Sequence, residues 1–415
     1  VASAEVRADV VVVGGGPAGA ATAWALARNG VDVLVLDRAH FPRPKPCAEY
    51  LSPQASRILS EMGALDAVEQ AGAAQLAGMT IHAPSGVAFE GRFAAAHGFH
   101  GFRDCGLALR REVLDTILLG RARATGARVI EGTAVTNVVR DAAGRATGVR
   151  VRENDRESTI TARIVVGADG LRSIVGKRLG LSRASRWPRR IAFVTHYRGV
   201  QGIGDCGEMH VARDGYCGLA DVGGGVTNVA VVVPHRLAAA ARGDADGFLA
   251  QWLAAHPALA ERVQGATRVS DVRVTGPFAS HASHAWARGA ALVGDAADFY
   301  DPFTGEGIYS ALRGGELLGP YLYESLRANN SRAADVPLEA YDRSRRHEFG
   351  GKWRVERLIG LAVTFPALMN RAARTLSRRS HLADLLVGVA GDFVPPGEVL
   401  RPGFLMQLLA PAKSR

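Results

Sequence analysis

The sequence predicts an α/β protein in three parts: a doubly wound, largely parallel sheet domain, a mixed β-sheet domain inserted into it, and a helical C-terminal region. Three observations carry this prediction. The stretch "VVVVGGGPAGAATAWALARNGVDVLVLDR", from Val10 to Arg38, runs as strand, glycine turn, helix and second strand. From Arg190 to Pro277 short β-rich runs take over, and from about Leu338 the pattern is helical and basic. The chain has 415 residues, 47% of them apolar, which suits two or three lobes with a sizeable core rather than a disordered chain.

The opening unit is justified residue by residue. Its apolar runs lack alternation, as expected of strands buried on both faces of a parallel sheet. Gly14, Gly16 and Gly19 form GxGxxG between strand and helix. The first allows the tight turn, the second lets a pyrophosphate approach the backbone, and the third lets helix and strand pack closely. Pro17 fits a first helical turn, where a missing N–H costs little. The helix start offers unpaired N–H groups and a positive dipole end to phosphate. Asp37 closes the second strand eighteen residues after Gly19, placed to accept hydrogen bonds from ribose hydroxyls. This is a Rossmann-type nucleotide-binding unit. A second match to the same spacing, Gly202, Gly204 and Gly207, lies between β-like runs with no helix after it and reads as a loop.

Further along, "SPQASRILSEMGALDAVEQAG" reads as one helix starting at Ser52-Pro53. A hairpin is expected around Pro84-Ser85-Gly86, and a helix over "LRREVLDTILLGRARATG" that ends at Gly126. Strands follow on either side of a polar turn at Asp141–Gly144. The β-rich insert surrounds one helix, about His235 to Val263, and "ALVGDAADFYDPFTGEGIYSALRGGELLGPYLY" returns to strand, loop and helix. The expected domains are 1–80, 105–180 and 280–325 for the nucleotide domain, 81–104 and 181–279 for the inserted sheet, and 326–415 for the helical region.

Charge and cysteines narrow the function classes. The net charge is +10, yet only four of the fifty basic residues are lysines. From Ser331 onward fourteen basic residues face eight acidic ones, so much of the excess is local. No basic stripe interleaved with aromatics appears, which argues against a nucleic-acid partner. Cys47, Cys105, Cys206 and Cys217 form neither CxxC pairs nor a cluster with metal-ligand spacing, so no metal is expected. Reduced thiols and a chain that enters a strand almost at once, with no visible signal peptide, point to the cytoplasm. The late apolar stretch "LIGLAVTFPALMN" is too short to span a bilayer.

Three segments together resemble a family. Gly14–Gly19 with Asp37, then "GADGLRS" at Gly167–Ser173, then "GDAADFYDPFTGEGI" at Gly294–Ile308, are similar in order and spacing to the fingerprints of FAD-dependent oxidoreductases of the aromatic hydroxylase type. That group also holds the geranylgeranyl reductases and flavin halogenases, and the resemblance covers roughly Ala8 to Tyr323. It implies a resident FAD contacted by Gly14, Gly16, Pro17, Ala18, Gly19, Asp37, Arg38, Arg111, Val135, Asp169, Gly294, Asp295, Pro302, Gly305, Gly307 and Ile308. Arg111 stands where the family carries a cofactor-contacting arginine, with Arg110 as the alternative match. By the resemblance Asp295 bonds the ribityl chain, and a helix starting near Gly307 faces the flavin pyrimidine edge, where its N-terminus stabilises negative charge. Asp169 has a second reading, as a cap for the turn that follows it. No second dinucleotide domain is visible, so NADH or NADPH is expected as a transient reductant.

Three chemistries share this scaffold. A halogenase is expected to carry WxWxIP and an early catalytic lysine; the motif is missing and the only lysine in the first hundred residues is Lys45. A geranylgeranyl-type reductase is supported by "KPCAEYLSP" (Lys45–Pro53), which resembles that group's KPCGG segment, and by the close match at "DPFTGEGI". Against it, the YxWxFP segment of that group aligns with "GYCGLADV", where Gly218 replaces the tryptophan and Ala220-Asp221 the FP pair. The leading expectation is therefore a monooxygenase that uses NAD(P)H and O₂ to hydroxylate a small hydrophobic, aromatic or polyketide-like substrate of secondary metabolism through a flavin C4a-hydroperoxide. The reductase of isoprenoid C=C bonds is the alternative, and a flavoprotein without turnover, serving as a binding partner, is a third. Candidate catalytic groups are His100, His196, His210, Tyr216 and Cys47, with Tyr300 and Asp298 beside the flavin motif. The basic helices after Leu338 are candidates for a hydrophobic lid, a dimer surface, a peripheral membrane contact, or plain packing with arginines outward.

Overall fold

A computed structural model describes residues 6–94, 98–153, 156–185, 187, 189–241 and 243–409. At its centre is an α/β sheet of eight strands. Strand Arg7–Val13 pairs in parallel with Val33–Leu36 on one side and with Arg156–Gly167 on the other. Arg128–Ile130 and Ala290–Leu292 extend the parallel part outward, and Ala134–Arg140 and Ala146–Glu153 add an antiparallel arm. Val10, Val11, Val12, Val33, Leu34, Val35, Val165 and Val166 are wholly buried, as their unbroken apolar runs require. Each such side chain contributes roughly 1.5–3 kcal/mol by leaving water.

Two helices, Pro17–Ala27 and Gly307–Arg327, pack against each other beside this sheet. Their approach is set by a small residue: a Cβ on Gly315 would stand 2.7 Å from the Thr22 backbone nitrogen. The pairing brings the starts of both helices to the same end of the sheet.

The second sheet is mixed. It runs Thr267–Arg268, Arg190–Arg198, Val226–Pro234, Tyr216–Asp221, Cys206–Val211, Gly78–His82 and Ala88–Arg92, with Arg273–Thr275 beside Arg190–Arg198. Only the Cys206–Val211/Gly78–His82 pair is parallel; the neighbours are antiparallel. The expected boundary at 80/81 therefore falls inside a strand, since Gly78–His82 pairs along its whole length in this sheet. The helices Ser331–Thr364, Pro366–Leu376, Ser380–Ala390, Pro396–Leu400 and Pro402–Leu409 bury a shared apolar core with it that includes Ile81, Phe89, Met209, Val355, Met369, Leu376 and Phe404.

Two expected helices are shorter than the periodicity suggested. The helix from Ser52-Pro53 is split into Ala55–Glu61 and Leu65–Gln70, with Gly63 at φ +66° between them. Ser52 caps its start by accepting from the Ala55 N–H at 3.2 Å. The helix expected over His235–Val263 is three pieces, His235–Ala238, Ala245–Ala254 and Pro257–Val263. Asp244 caps the second by accepting from Gly247, and Pro257 starts the third. The hairpin at Pro84–Gly86 and the helix Arg111–Ala124 before Gly126 are as expected; of the expected loop, Gly202 and Gly204 lie in it, but Gly207 belongs to the strand Cys206–Val211, paired with Met79. Among the described residues no helix is long and apolar enough to cross a membrane.

Candidate active site

The glycine turn holds its own acid. Asp37 is buried and accepts from the Gly15 N–H at 2.8 Å and the Ala39 N–H at 2.9 Å. Gly19 packs against the turn so closely that a Cβ there would lie 1.8 Å from the Gly14 carbonyl oxygen. Neither Gly16 at the start of Pro17–Ala27 nor Glu306 at the start of Gly307–Arg327 supplies a side-chain cap. Their first N–H groups are thus left for a ligand, and Gly16, Pro17, Ala18, Gly305, Gly307 and Ile308 all line one cavity. Two uncapped helix starts facing one cavity fit a molecule with a pyrophosphate and a second electronegative edge.

Cations gather at the same end. Arg111 is buried, lines the cavity, and donates twice to Asp115, both bonds 2.8 Å. Arg43 reaches Asp115 at 3.2 Å and lies 3.5 Å from where a Cβ on Gly16 would be. Lys45 lines the cavity as well; burial, then the Arg111 guanidinium, pulls its pKa down against Asp295 and Asp115. Arg110 is instead exposed and pairs with Glu112 at 2.9 Å, so the structure assigns the cavity position to Arg111. Arg43 and Asp115 had no role in the sequence reading, and Lys45 entered it only as the lysine weighed for a halogenase and as the start of the KPCGG-like segment; "PRPKPC", a basic cluster near the glycine turn, was the available signal for a cavity role.

The remaining cofactor candidates divide. Asp295 and Pro302 line the cavity. Gly14, Gly19 and Asp37 form the turn behind it. Gly294 stands behind the loop, lining a smaller pocket with Asp298 and Glu306. Arg38 is exposed, and Val135 is half-buried on the antiparallel arm; neither lines the cavity. Asp169 does not face it either. Its carboxylate accepts from Ser173 Oγ at 2.6 Å and the Ile174 N–H at 2.6 Å, so it caps the short helix Ile174–Arg178, while Ala168, Gly170 and Leu171 form the wall.

Most of the catalytic candidates need correction. His100 lies on an exposed stretch away from the cavity. Tyr216 lines the cavity, but its hydroxyl donates to Asp301 at 2.6 Å, and burial, then Asp301, holds its pKa well above the usual phenol range. It is a fixed donor, not a base. Asp301 also accepts from Arg190 and from the Phe303 N–H, tying the "DPFTGEG" loop to the second sheet. Tyr300 and Asp298 face a different recess, where Asp298 pairs with Arg345. His210 bonds Glu208 at 2.9 Å and stacks on His82, with ring centroids 4.1 Å apart. His82, Glu208 and His210 come within reach of one another, a cluster invisible in the spacing, but both Glu208 oxygens accept from Arg262 at 2.6 and 2.8 Å. His196 sits one layer back from the cavity, 2.7 Å from Glu49.

Cys47 does line the cavity. Its sulfur accepts from the Glu49 N–H at 3.3 Å and lies beside Arg111, and its carbonyl accepts from Asn228, another wall residue. Glu49 is the buried hub behind this wall: it accepts from the Arg111 N–H at 2.9 Å, from Asn228 at 3.0 Å and bonds His196. Its backbone is left-handed, at φ +62°.

Under the C-terminal helices lies a second, apolar chamber of about 140 Å³. Met79, Met209 and Phe303 belong to both walls, and Thr304 is the only polar residue among those described around the chamber.

Comparison with known proteins agrees with this geometry. The FAD binding domain family matches residues 7–352. The chain is 30% identical to digeranylgeranylglycerophospholipid reductase 2 of Methanopyrus kandleri over 93% of each chain. It is 28% identical to the menaquinone reductase of Mycolicibacterium smegmatis, over 94% of this chain and 92% of that protein. Among solved structures, the myxobacterial chondrochloren halogenase CndH, an FAD-dependent halogenase, superposes with a TM-score of 0.77 at 26% identity, covering 84% of this chain and 81% of that one.

Proposed function

The chain belongs to the FAD binding domain family of flavin-dependent oxidoreductases, and from that membership we propose that it is an FAD-dependent reductase of a carbon–carbon double bond in a long-chain isoprenoid substrate, with NADH or NADPH as reductant. The observation that carries this reading is the apolar chamber that shares Met79, Met209 and Phe303 with the cavity wall. A compact ring leaves such a chamber empty, whereas a hydrocarbon tail fills it, each methylene gaining about 0.8 kcal/mol by leaving water. The reductases that the chain resembles in sequence point the same way.

FAD bound here and reduced by NADH or NADPH would supply the hydride. The chain's own residues do the rest. The Pro17–Ala27 helix start, with Arg111 and the nearby Arg43, would hold the cofactor's pyrophosphate, and the Gly307–Arg327 helix start would stabilise negative charge on the flavin. Val194, Leu219, Val232 and Phe278 exclude water around the double bond. Reduction of C=C also needs a proton for the second carbon. The Cys47 sulfur is surrounded by donors and suits an acceptor. Lys45 Nζ, pressed by burial and by Arg111 towards release, is the better-placed acid.

Ring hydroxylation remains the second reading, because the mainly apolar wall of the cavity also accepts a ring. Anaerobic mixing separates the two. Holoenzyme reduced without oxygen, then given a polyprenyl lipid or a prenylated quinone, is expected to reoxidise its flavin with loss of one C=C bond by mass spectrometry. Flavin that stays reduced with every such substrate, and substrate-dependent NAD(P)H oxidation that consumes O₂, would overturn the reductase.

A further inference from the structure

Behind the flavin-motif loop, on the other side of Asp298-Phe299 from the cavity, lies a recess of about 680 Å³. Its walls are Ser185 and Trp187, the strand Ser280–Ala282, the strand Asp298–Phe299 and one stripe of the helix Ser331–Thr364. Phe299 lines both the recess and the cavity. The size lies within the roughly 300–1,000 Å³ common for small-molecule sites, and the concave shape suits a small ligand better than a folded partner.

The chemistry of the wall is specific. The helix stripe presents Arg345, Arg346, Trp353 and Arg357 to the recess. Arg345 is neutralised by Asp298 and lies over the Trp353 ring at 5.1 Å; Arg346 pairs with Asp342 at 2.8 Å. Arg357 has no carboxylate partner among the described residues, and it is exposed. Across the recess the Trp187 indole is 45% exposed. An open indole offers a stacking face to a planar base, and a free guanidinium offers a fork to phosphate oxygens. The Ser280 and Ser283 hydroxyls donate to the Arg183 and Leu181 carbonyls, which leaves their oxygens as acceptors for ribose or base N–H and O–H groups. Together these groups match a nucleoside diphosphate.

We infer that this recess binds the adenosine-diphosphate end of the nicotinamide dinucleotide, with the nicotinamide reaching the flavin past Phe299. The inference rests on the reading of a nicotinamide dinucleotide as the reductant. It also accounts for how a second dinucleotide is received where the described residues form one dinucleotide fold.

The test uses the FAD-loaded protein and ADP as probe, read by calorimetry and by tryptophan fluorescence. Saturable ADP binding is expected, at least tenfold weaker in Arg357→Ser and in Trp187→Leu, with the same variants raising KM for NAD(P)H more than they lower kcat. Absent ADP binding, or binding unchanged in both variants, overturns the site. Inorganic pyrophosphate binding as tightly as ADP overturns the nucleoside and leaves a phosphate site of another kind. If neither NADH nor NADPH reduces the wild-type flavin while ADP binds and Arg357→Ser weakens it, nucleotide binding stands and the reductant assignment falls.

Discussion

Lys45 and Glu208 show how position decides what a charged side chain does. Lys45 lines the reaction cavity with its pKa lowered by burial and by Arg111. Lys45→Met keeps the stem and removes the proton. The variant is expected to bind FAD and accept reducing equivalents, but to reoxidise with substrate about 10²–10⁴-fold more slowly under anaerobic stopped flow. An unchanged rate would move the acid elsewhere, with Cys47 the next group to test. Glu208 also faces the cavity, yet its carboxylate is locked between Arg262 and His210, and these partners hold its pKa down at about 2 despite burial. A depressed carboxylate pKa means stability that is fully present above about 4.5 and lost as pH falls towards 2. Glu208→Gln is therefore expected to lower stability by about 1–2 kcal/mol near neutral pH, after allowance for solvent screening. The Tm gap to wild type should narrow as the pH falls below 4.5. Glu49 is a third case. It stands where the resemblance to KPCGG places a glycine, in a left-handed backbone that disfavours other residues by roughly 1–2 kcal/mol, and its bonds to Arg111, Asn228 and His196 offset that cost.

At the scale of elements, what could be read from sequence was what is local. The strand–turn–helix–strand unit was legible because Gly14, Gly16, Gly19 and Asp37 act on backbone within thirty residues, and the clash that Gly19 avoids is with its own turn. Gly19→Ala is accordingly expected to yield protein without flavin, or none that folds; a yellow, stoichiometrically loaded variant would contradict the close packing at 1.8 Å. Less local features were not legible. The clamp Arg190–Asp301–Tyr216 joins residues 85 and 111 positions apart, and the wall bond Asn228–Cys47 spans 181. No periodicity encodes such pairs. Tyr216 looked like a base because nothing in its own stretch of chain points to Asp301, 85 positions away. The two overlong helices failed for a different reason: apolar spacing continued through Gly63 and Gly243, and only the left-handed backbone at each shows where the helix stops. Asp169 was readable both ways, and its bonds to Ser173 and Ile174 show the capping role.

For the whole molecule, the question is how three parts make one site. The α/β sheet brings two helix starts to the cavity, the mixed sheet supplies most of the apolar wall, and the C-terminal helices close the chamber beyond it. The parts meet at Met79, Met209 and Phe303, which face both spaces. Two of these belong to mixed-sheet strands and the third to the flavin-motif loop, so the wall common to cavity and chamber is built where the domains join. A substrate tail that extends from the cavity into the chamber is therefore expected to have its length read at this shared wall. Met209→Trp adds bulk at the junction without touching Lys45, Cys47 or the helix starts. It is expected to raise KM for a long-tailed substrate by about tenfold or more, because several methylenes at about 0.8 kcal/mol each lose their place in the chamber. For a substrate whose tail ends before the chamber, KM should change little. The pattern to look for is a wild-type enzyme whose affinity climbs with tail length and then levels off, and a variant whose affinity levels off earlier. Equal losses for short and long substrates would mean that the tryptophan disturbs the cavity itself, and equal retention would mean that the tail leaves by another route.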